Sequence, residues 1–294
     1  MNFFQKLFGG KDEAKEETKV QNEAKDFDVL KYDGVRAMKT GEVDYAIRCF
    51  KHALEIQEDL EIHDYLSVSY IAKSMLSEAY DELQILSEAQ PDNIQIYIRM
   101  ANIAFMMENY GVMATACEKA ILLDKENAEA HYLYAQACKG QGDDVNTIAM
   151  ATKAISLNEK YGDAYLLRGE THLRMEQLEE ATTDADWLVE HTDNNEDVLL
   201  LKARIERAAT RNNESITWFT KAIDANPFSY AAFKERCEVY SAMGEDKKAK
   251  EDAERAEELM PETTENGEEK AEEAPENMEQ KLNNKYKEMN PYGF

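Results

Sequence analysis

The side chains with the widest chemical reach in this 294-residue chain are five histidines and four cysteines. Binding zinc or another transition metal would need such residues at close spacing, as in Cys-x-x-Cys or His-x-x-x-His, so that one turn delivers two ligands to one ion. Neither spacing occurs; His63, His131 and His172 stand far apart, as do Cys117, Cys138 and Cys237. The motifs that cradle phosphates or activate a nucleophile are absent too: there is no Gly-x-Gly-x-x-Gly, Gly-x-x-x-x-Gly-Lys-Ser/Thr, Gly-x-Ser-x-Gly or His-Glu-x-x-His. Paired carboxylates carry little information where 60 residues are acidic. Asp143 and Asp144 after Gly142, and the DNNED run from Asp193 to Asp197, read as helix caps. The expectation is a non-enzyme with no catalytic residue, no metal and no cofactor.

Charge narrows the partners. The 60 acidic residues face only 34 basic ones, a formal charge of −26. Nucleic acid is excluded by that balance, because phosphate contacts need Lys and Arg to displace counterions. Cationic partners are favoured. No apolar run approaches the eighteen or so residues of a membrane-spanning helix. Gln5 and Lys6 interrupt the short apolar start MNFFQKLFGG, which is unlike a signal peptide. The sparse cysteines read as reduced thiols, and the expected location is cytoplasmic.

What positions the remaining residues is an internal repeat. The helical segments DYAIRCFKHALEIQE, GVMATACEKAILLDK, NTIAMATKAISLNEK and ESITWFTKAIDANP are siblings. Their equivalent alanines, Ala53, Ala120, Ala154 and Ala222, lie 67, 34 and 68 residues apart. Pro91, Pro227 and Pro261 fall on the same grid. Units therefore start at Phe27, Leu60, Ile94, Ala128, Gly162, Glu196 and Tyr230, each holding two helical patterns. In the last, Phe233, Cys237 and Tyr240 share one face and Ala249, Ala253 and Ala256 another. Gly244 supplies the turn between them. Proline ends a unit by forcing its predecessor out of helical geometry, and Ser229 is placed to cap the following helix.

This pattern resembles the tetratricopeptide repeat over residues 27–261. The resemblance rests on alternating small and large slots. Small residues of first helices are Gly34, Ala101, Ala135, Gly169 and Ala203; those of second helices include Ala46, Ala79, Ala181 and Ala249. Large slots hold Tyr70, Tyr97, Tyr165, Phe233, Phe50 and Phe219. Ser67, Cys237, Thr147, Ser215, Leu86 and Leu188 depart from the pattern. The resemblance implies an all-α, right-handed superhelical α-solenoid of seven helix-turn-helix units. In that frame the histidines and cysteines occupy packing slots, where free cysteine behaves as a small hydrophobe.

The resemblance also places function on the concave face of the first helices, as a scaffold or adaptor that binds a protein or peptide segment. In the earlier units that face would carry Met38, Asp64, Val68, Ile71, Asn102, Phe105 and Met106. In the later ones it would carry Tyr132, Leu166, Glu170, Leu173 and Leu200, with Arg204 and Arg207 as a small basic spot. Glu129, Asp163 and Asp197 add acidity. The expected groove is apolar at its centre and mostly acidic around it, suited to a locally basic partner with apolar anchors. Some relatives grip a chaperone's terminal carboxylate with Lys and Asn on early first helices. Here Lys31 is followed one turn later by Val35, and Asn102 is preceded by Ile98, so that clamp is not assembled.

Two ends flank the array. Residues 1–26 are expected to be a flexible segment with a short amphipathic start, in which Phe3, Phe4, Leu7 and Phe8 share a face. Eight residues are too few to hold a helix alone in water. If the start instead docks on a membrane surface, with weak contact through residues 1–10, the alternative function is that of a membrane-peripheral assembly factor. Residues 262–294 read as an acidic linker followed by a stripe of Met278, Leu282, Tyr286 and Met289. That stripe could dock residues 276–294 onto the array or onto a partner.

Overall fold

The computed structural model describes residues 3–193 and 195–260, with side chains from residue 22 onward. Fourteen α-helices and no strands occur among them. The first helices of the repeats are α1 (Phe3–Thr40), α3 (Leu60–Ala72), α5 (Ile94–Met106), α7 (Ala128–Gly140), α9 (Gly162–Arg174), α11 (Glu196–Ala208) and α13 (Tyr230–Ala242). The second helices are α2 (Val43–Ile56), α4 (Leu76–Ala89), α6 (Tyr110–Leu123), α8 (Asp144–Leu157), α10 (Leu178–His191), α12 (Asn212–Ala225) and α14 (Asp246–Glu258). The six unit starts read from the sequence after Phe27 coincide with the starts of α3, α5, α7, α9, α11 and α13.

Local chemistry sets these boundaries. Asn127, Asp143, Asn195 and Ser229 each accept a hydrogen bond from a backbone N–H of the first helical turn, satisfying a donor that the helix itself leaves unpaired. The helix that halts before Pro227 ends at Ala225, with Asn226 as its extended C-cap. In the turn after each first helix, one residue adopts positive φ: Gly41, Ser74, Glu108, Gly142, Glu176, Thr210 and Gly244.

The chain divides into two compact units, one ending at Met107 and the other beginning at Glu108. In the first, α1 packs with α2, α3 with α4, and α5 against α4. Phe50 of α2 is fully buried, and its ring lies so close to Gly34 that a Cβ there would sit 2.5 Å from Cε1. Small and large slots thus interlock as the repeat requires. His63, assigned to an aromatic packing slot, is buried but bonded through Nδ1 to Glu82 (2.5 Å) and through Nε2 to Glu58 (3.0 Å). Burial alone would lower its pKa, yet the two carboxylates raise it above the ordinary histidine value.

The α1 backbone is helical from Phe3, with no break separating residues 3–26 from the first repeat. Continuation from a packed helix removes the nucleation cost that an isolated segment would face. The proposed apolar face of Phe3, Phe4, Leu7 and Phe8 lies outside the described side chains. The C-terminal stripe and residues 276–294 lie outside the described residues altogether.

In the second unit, the helices pack in order from α6 to α14. Polar clasps join the repeats. Arg168 of α9 donates through Nε and Nη2 to buried Asp184 of α10 (2.9 and 2.6 Å) and through Nη1 to Thr152 of α8 (3.0 Å). The same triangle recurs two repeats later, with Arg236 on Asp252 and Thr220. Ser215, a departure from the alanine slot, donates its hydroxyl to the Ala203 carbonyl (2.9 Å) and ties α12 to α11.

Gly169 marks a close approach: an added Cβ would meet Asp184 Cβ at 3.2 Å and Leu201 Cδ2 at 3.1 Å. Gly169→Leu should therefore overpack the joint and destabilise the protein by about 1–3 kcal/mol. Urea unfolding would show a lower midpoint; an unchanged midpoint would mean that the residues around Gly169 are not packed in this register.

Candidate functional site

Three successive first helices of the second unit enclose a cleft of about 340 Å³. Helix α7 contributes Lys139; α9 contributes Glu170, Thr171, Leu173 and Arg174; α11 contributes Leu201 and Arg204. The repeat explains why these residues converge. Lys139, Leu173 and Arg207 occupy one equivalent position in consecutive repeats, and Glu170 and Arg204 occupy another, three residues earlier on the same helical face.

The floor is aliphatic and anchored from below. Leu201 belongs to a buried cluster with Ala181, Ala185, Leu188, Val198 and Ile205, against which half-buried Leu166 and Leu173 pack. Thr171 donates its hydroxyl to the Leu167 carbonyl (2.7 Å), so its polarity is internally satisfied. Floor residues on helices backed by a packed core keep their positions when a ligand enters.

Each charged head on the rim is oriented by an opposite charge. Lys139 Nζ lies 2.7 Å from Glu170 Oε2, and Arg174 Nη2 pairs with Asp144 at the start of α8. Arg204 donates to Glu235 of α13 through Nε (2.9 Å) and Nη2 (2.6 Å). Burial alone would depress the Arg204 guanidinium, but Glu235 raises its pKa above the ordinary arginine value, keeping it charged. Arg207 pairs with Glu235 (3.1 Å) and Glu238 (2.8 Å). The expected basic spot at Arg204 and Arg207 is therefore interleaved with carboxylates of the next repeat.

The other expected groove residues divide by depth. Glu170, Leu173 and Arg204 come together in the cleft. Tyr132 is half-buried, accepts a hydrogen bond from Gln136 (3.0 Å) and packs on Tyr161; Leu200 is buried at 4% exposure. In the first unit, Met38, Val68, Ile71 and Asn102 are buried at 8, 1, 6 and 5% exposure, whereas Phe105 and Met106 are half-buried. Asn102 donates to the Ile98 carbonyl (3.1 Å), and Asp64 pairs with Arg99. Lys31 is engaged by Asp59 (2.6 Å) and Glu61 (2.5 Å). Lys139 and Arg174 were not singled out in the sequence, although Lys139 sits in the same repeat column as Leu173. With them, the cleft's lining holds three cationic residues and one carboxylate, Glu170.

Among the described residues, no group of three or more His, Cys, Asp or Glu side chains is placed to hold a metal ion. His131 Nε2 donates to the Lys125 carbonyl (3.0 Å), and His172 Nδ1 to Gln177 Oε1 (2.6 Å). Burial pushes the Cys117 thiol up to about 12, leaving it protonated and unreactive at neutral pH. Among the described residues, no helix is long and apolar enough to cross a membrane.

No protein-family model and no curated protein matches the sequence. Solved structures do match. PilW, a widely conserved type IV pilus biogenesis factor, superposes with a TM-score of 0.62 at 15% identity, over 69% of this chain and 94% of its own. PilF of Pseudomonas aeruginosa gives 0.57 at 14% identity, over 74% of this chain and 99% of its own. The TPR protein YrrB, whose peptide-binding site is described as unusual, gives 0.51 at 19% identity, over 61% and 93%. The helix pairing and these likenesses agree: the chain has the all-α tetratricopeptide-repeat fold.

Proposed function

We propose that this chain is a non-catalytic protein-interaction scaffold that receives a partner's peptide segment across the first helices of its second unit. The observation that carries this reading is the cleft itself. Three consecutive repeats supply an aliphatic floor and charged heads already held in place. A volume of about 340 Å³ lies near the lower end for ligand pockets, roughly 300–1,000 Å³, and suits one or two anchoring side chains of an extended or helical segment. The description of YrrB as a peptide-binding TPR protein supports the same use of the fold. Long-range attraction by the net charge of −26 would favour a partner that also carries basic residues outside the cleft.

Hydrogen–deuterium exchange of the full chain, with and without a partner captured from its native host, tests this. Amides of α7, α9 and α11 should exchange more slowly in the complex. Slowing confined to residues 1–10, accompanied by flotation with anionic vesicles that is lost when those residues are deleted, would instead support recruitment to a membrane surface.

A further inference from the structure

We infer that two copies of this chain pair through the open face of α1, antiparallel and about a two-fold axis at Tyr32. The repeat defines that face. Val29 belongs to the column of Ile62, Ile96, Ala130, Ala164, Val198 and Ala232, which are 0–4% exposed. The preceding repeat's second helix covers this column: Ala164 packs with Ala154 of α8, Val198 with Ala185 of α10 and Ala232 with Phe219 of α12. Tyr32 shares its column with Leu133, Leu167 and Leu201, which are also buried. Among the described residues no helix precedes α1, and Val29 and Tyr32 are 50% and 68% exposed. Tyr45 of α2, exposed as well, stands near Asp33 and Arg36 and 5.7 Å from the Arg48 guanidinium.

The last repeat ends differently. The columns that hold Ile216, Phe219 and Ile223 on α12, packed towards α13, hold Lys250, Ala253 and Glu257 on α14, all exposed. A polar outer face of that kind is what keeps a terminal repeat soluble. The first repeat lacks it and presents tyrosine and arginine, the residue types enriched where proteins meet. Because α14 offers no apolar counterpart, stacking the end of one copy on the start of another is disfavoured. A symmetric contact of α1 with α1 remains.

Charge completes the self-match. Asp28 and Arg36 lie four residues before and four after Tyr32, along one stripe of the helix. In an antiparallel pair centred on Tyr32, Asp28 of each copy meets Arg36 of the other. The two tyrosines then lie between two ion pairs, with Val29 packed beside them. Arg36 is paired with Asp33 of its own chain at 3.2 Å, an exposed contact one turn away. Such pairs contribute little, so Arg36 re-pairs readily. Further out, Lys39 faces Lys25 and Asp26 together, and the ends of the contact are close to neutral.

The test is sedimentation velocity of the full chain at rising concentration. Physiological ionic strength is used, because a charge of −26 on each copy repels at low salt. The unaltered chain should dimerise, and Val29→Glu/Tyr32→Glu should weaken the dimer about tenfold or more. Both side chains are exposed, and circular dichroism checks that the variant folds. Asp28→Arg alone sets arginine against arginine, and Arg36→Asp alone sets aspartate against aspartate, so each should weaken pairing. The double variant restores opposite charges and should recover the dimer. An equimolar mixture of the two single variants should recover it too, as a heterodimer. A chain that stays monomeric at every concentration overturns the inference, as does a dimer indifferent to these substitutions. A dimer that appears only after deletion of residues 276–294 also overturns it, and makes that segment the cover of the α1 face.

Discussion

Phe50→Ala should destabilise the protein by about 3–5 kcal/mol, the usual range for deleting a fully buried aromatic ring. Phe50 has no exposure, stacks on Tyr65 with centroids 5.3 Å apart and fills the space left by Gly34. Its loss leaves a cavity bounded by three helices, which cannot collapse without shifting α1 against α2. Gly34→Leu alone should also destabilise, because its first added carbon would collide with the Phe50 ring. Combined with Phe50→Ala, the new leucine enters the vacated space, and the double variant should be more stable than the sum of the single effects implies. Chemical denaturation of the four proteins measures this. Strict additivity would mean that positions 34 and 50 do not touch, and the repeat register in the first unit would be wrong.

Asp184→Ala is expected to have the second large effect, about 3 kcal/mol or more, because it strands the Arg168 guanidinium in a half-buried site. Asp184 is 1% exposed and accepts two hydrogen bonds from Arg168. The cost comes from breaking one side of the pair rather than from the pair's own strength. Replacing both residues with apolar ones, Arg168→Met and Asp184→Leu together, should recover most of the loss. Equal destabilisation by single and double replacement would show that the clasp contributes net stability through more than mutual neutralisation.

The period was fully legible in the sequence because close-packing slots tolerate only small residues, and alanine or glycine at fixed spacing is visible without coordinates. Six helix starts follow from it. The turns were less legible. Gly244 announces its positive φ, but Ser74, Glu108, Glu176 and Thr210 adopt it as well. A β-branched residue such as Thr210 gives no compositional sign of a left-handed backbone; here the repeated geometry prevails over local preference. Register also states which way a side chain points but not how deep it lies. Val68 and Ile71 share repeat columns with Glu170 and Leu173, respectively, yet they are buried, as are nine of the thirteen residues of α3.

Charge was the least readable property. Net charge averages over a surface, whereas the cleft depends on which columns hold Lys and Arg. Lys139, Leu173 and Arg207 share a column that could have revealed the first of these. The pairing of Arg204 and Arg207 with Glu235 and Glu238 required the next repeat's register as well as their own. Sequence separation of 31 residues hides such pairs until the helices are stacked.

The most direct measurement for the central claim is site-specific photo-crosslinking of the full chain. A benzophenone amino acid at Leu173, on the cleft floor, is compared with one at Leu122, which is 69% exposed on α6. Illumination with a captured partner should give a covalent adduct from position 173 and none from 122. Adducts that form at position 122 but not at 173 would contradict the assignment of partner binding to the first-helix cleft.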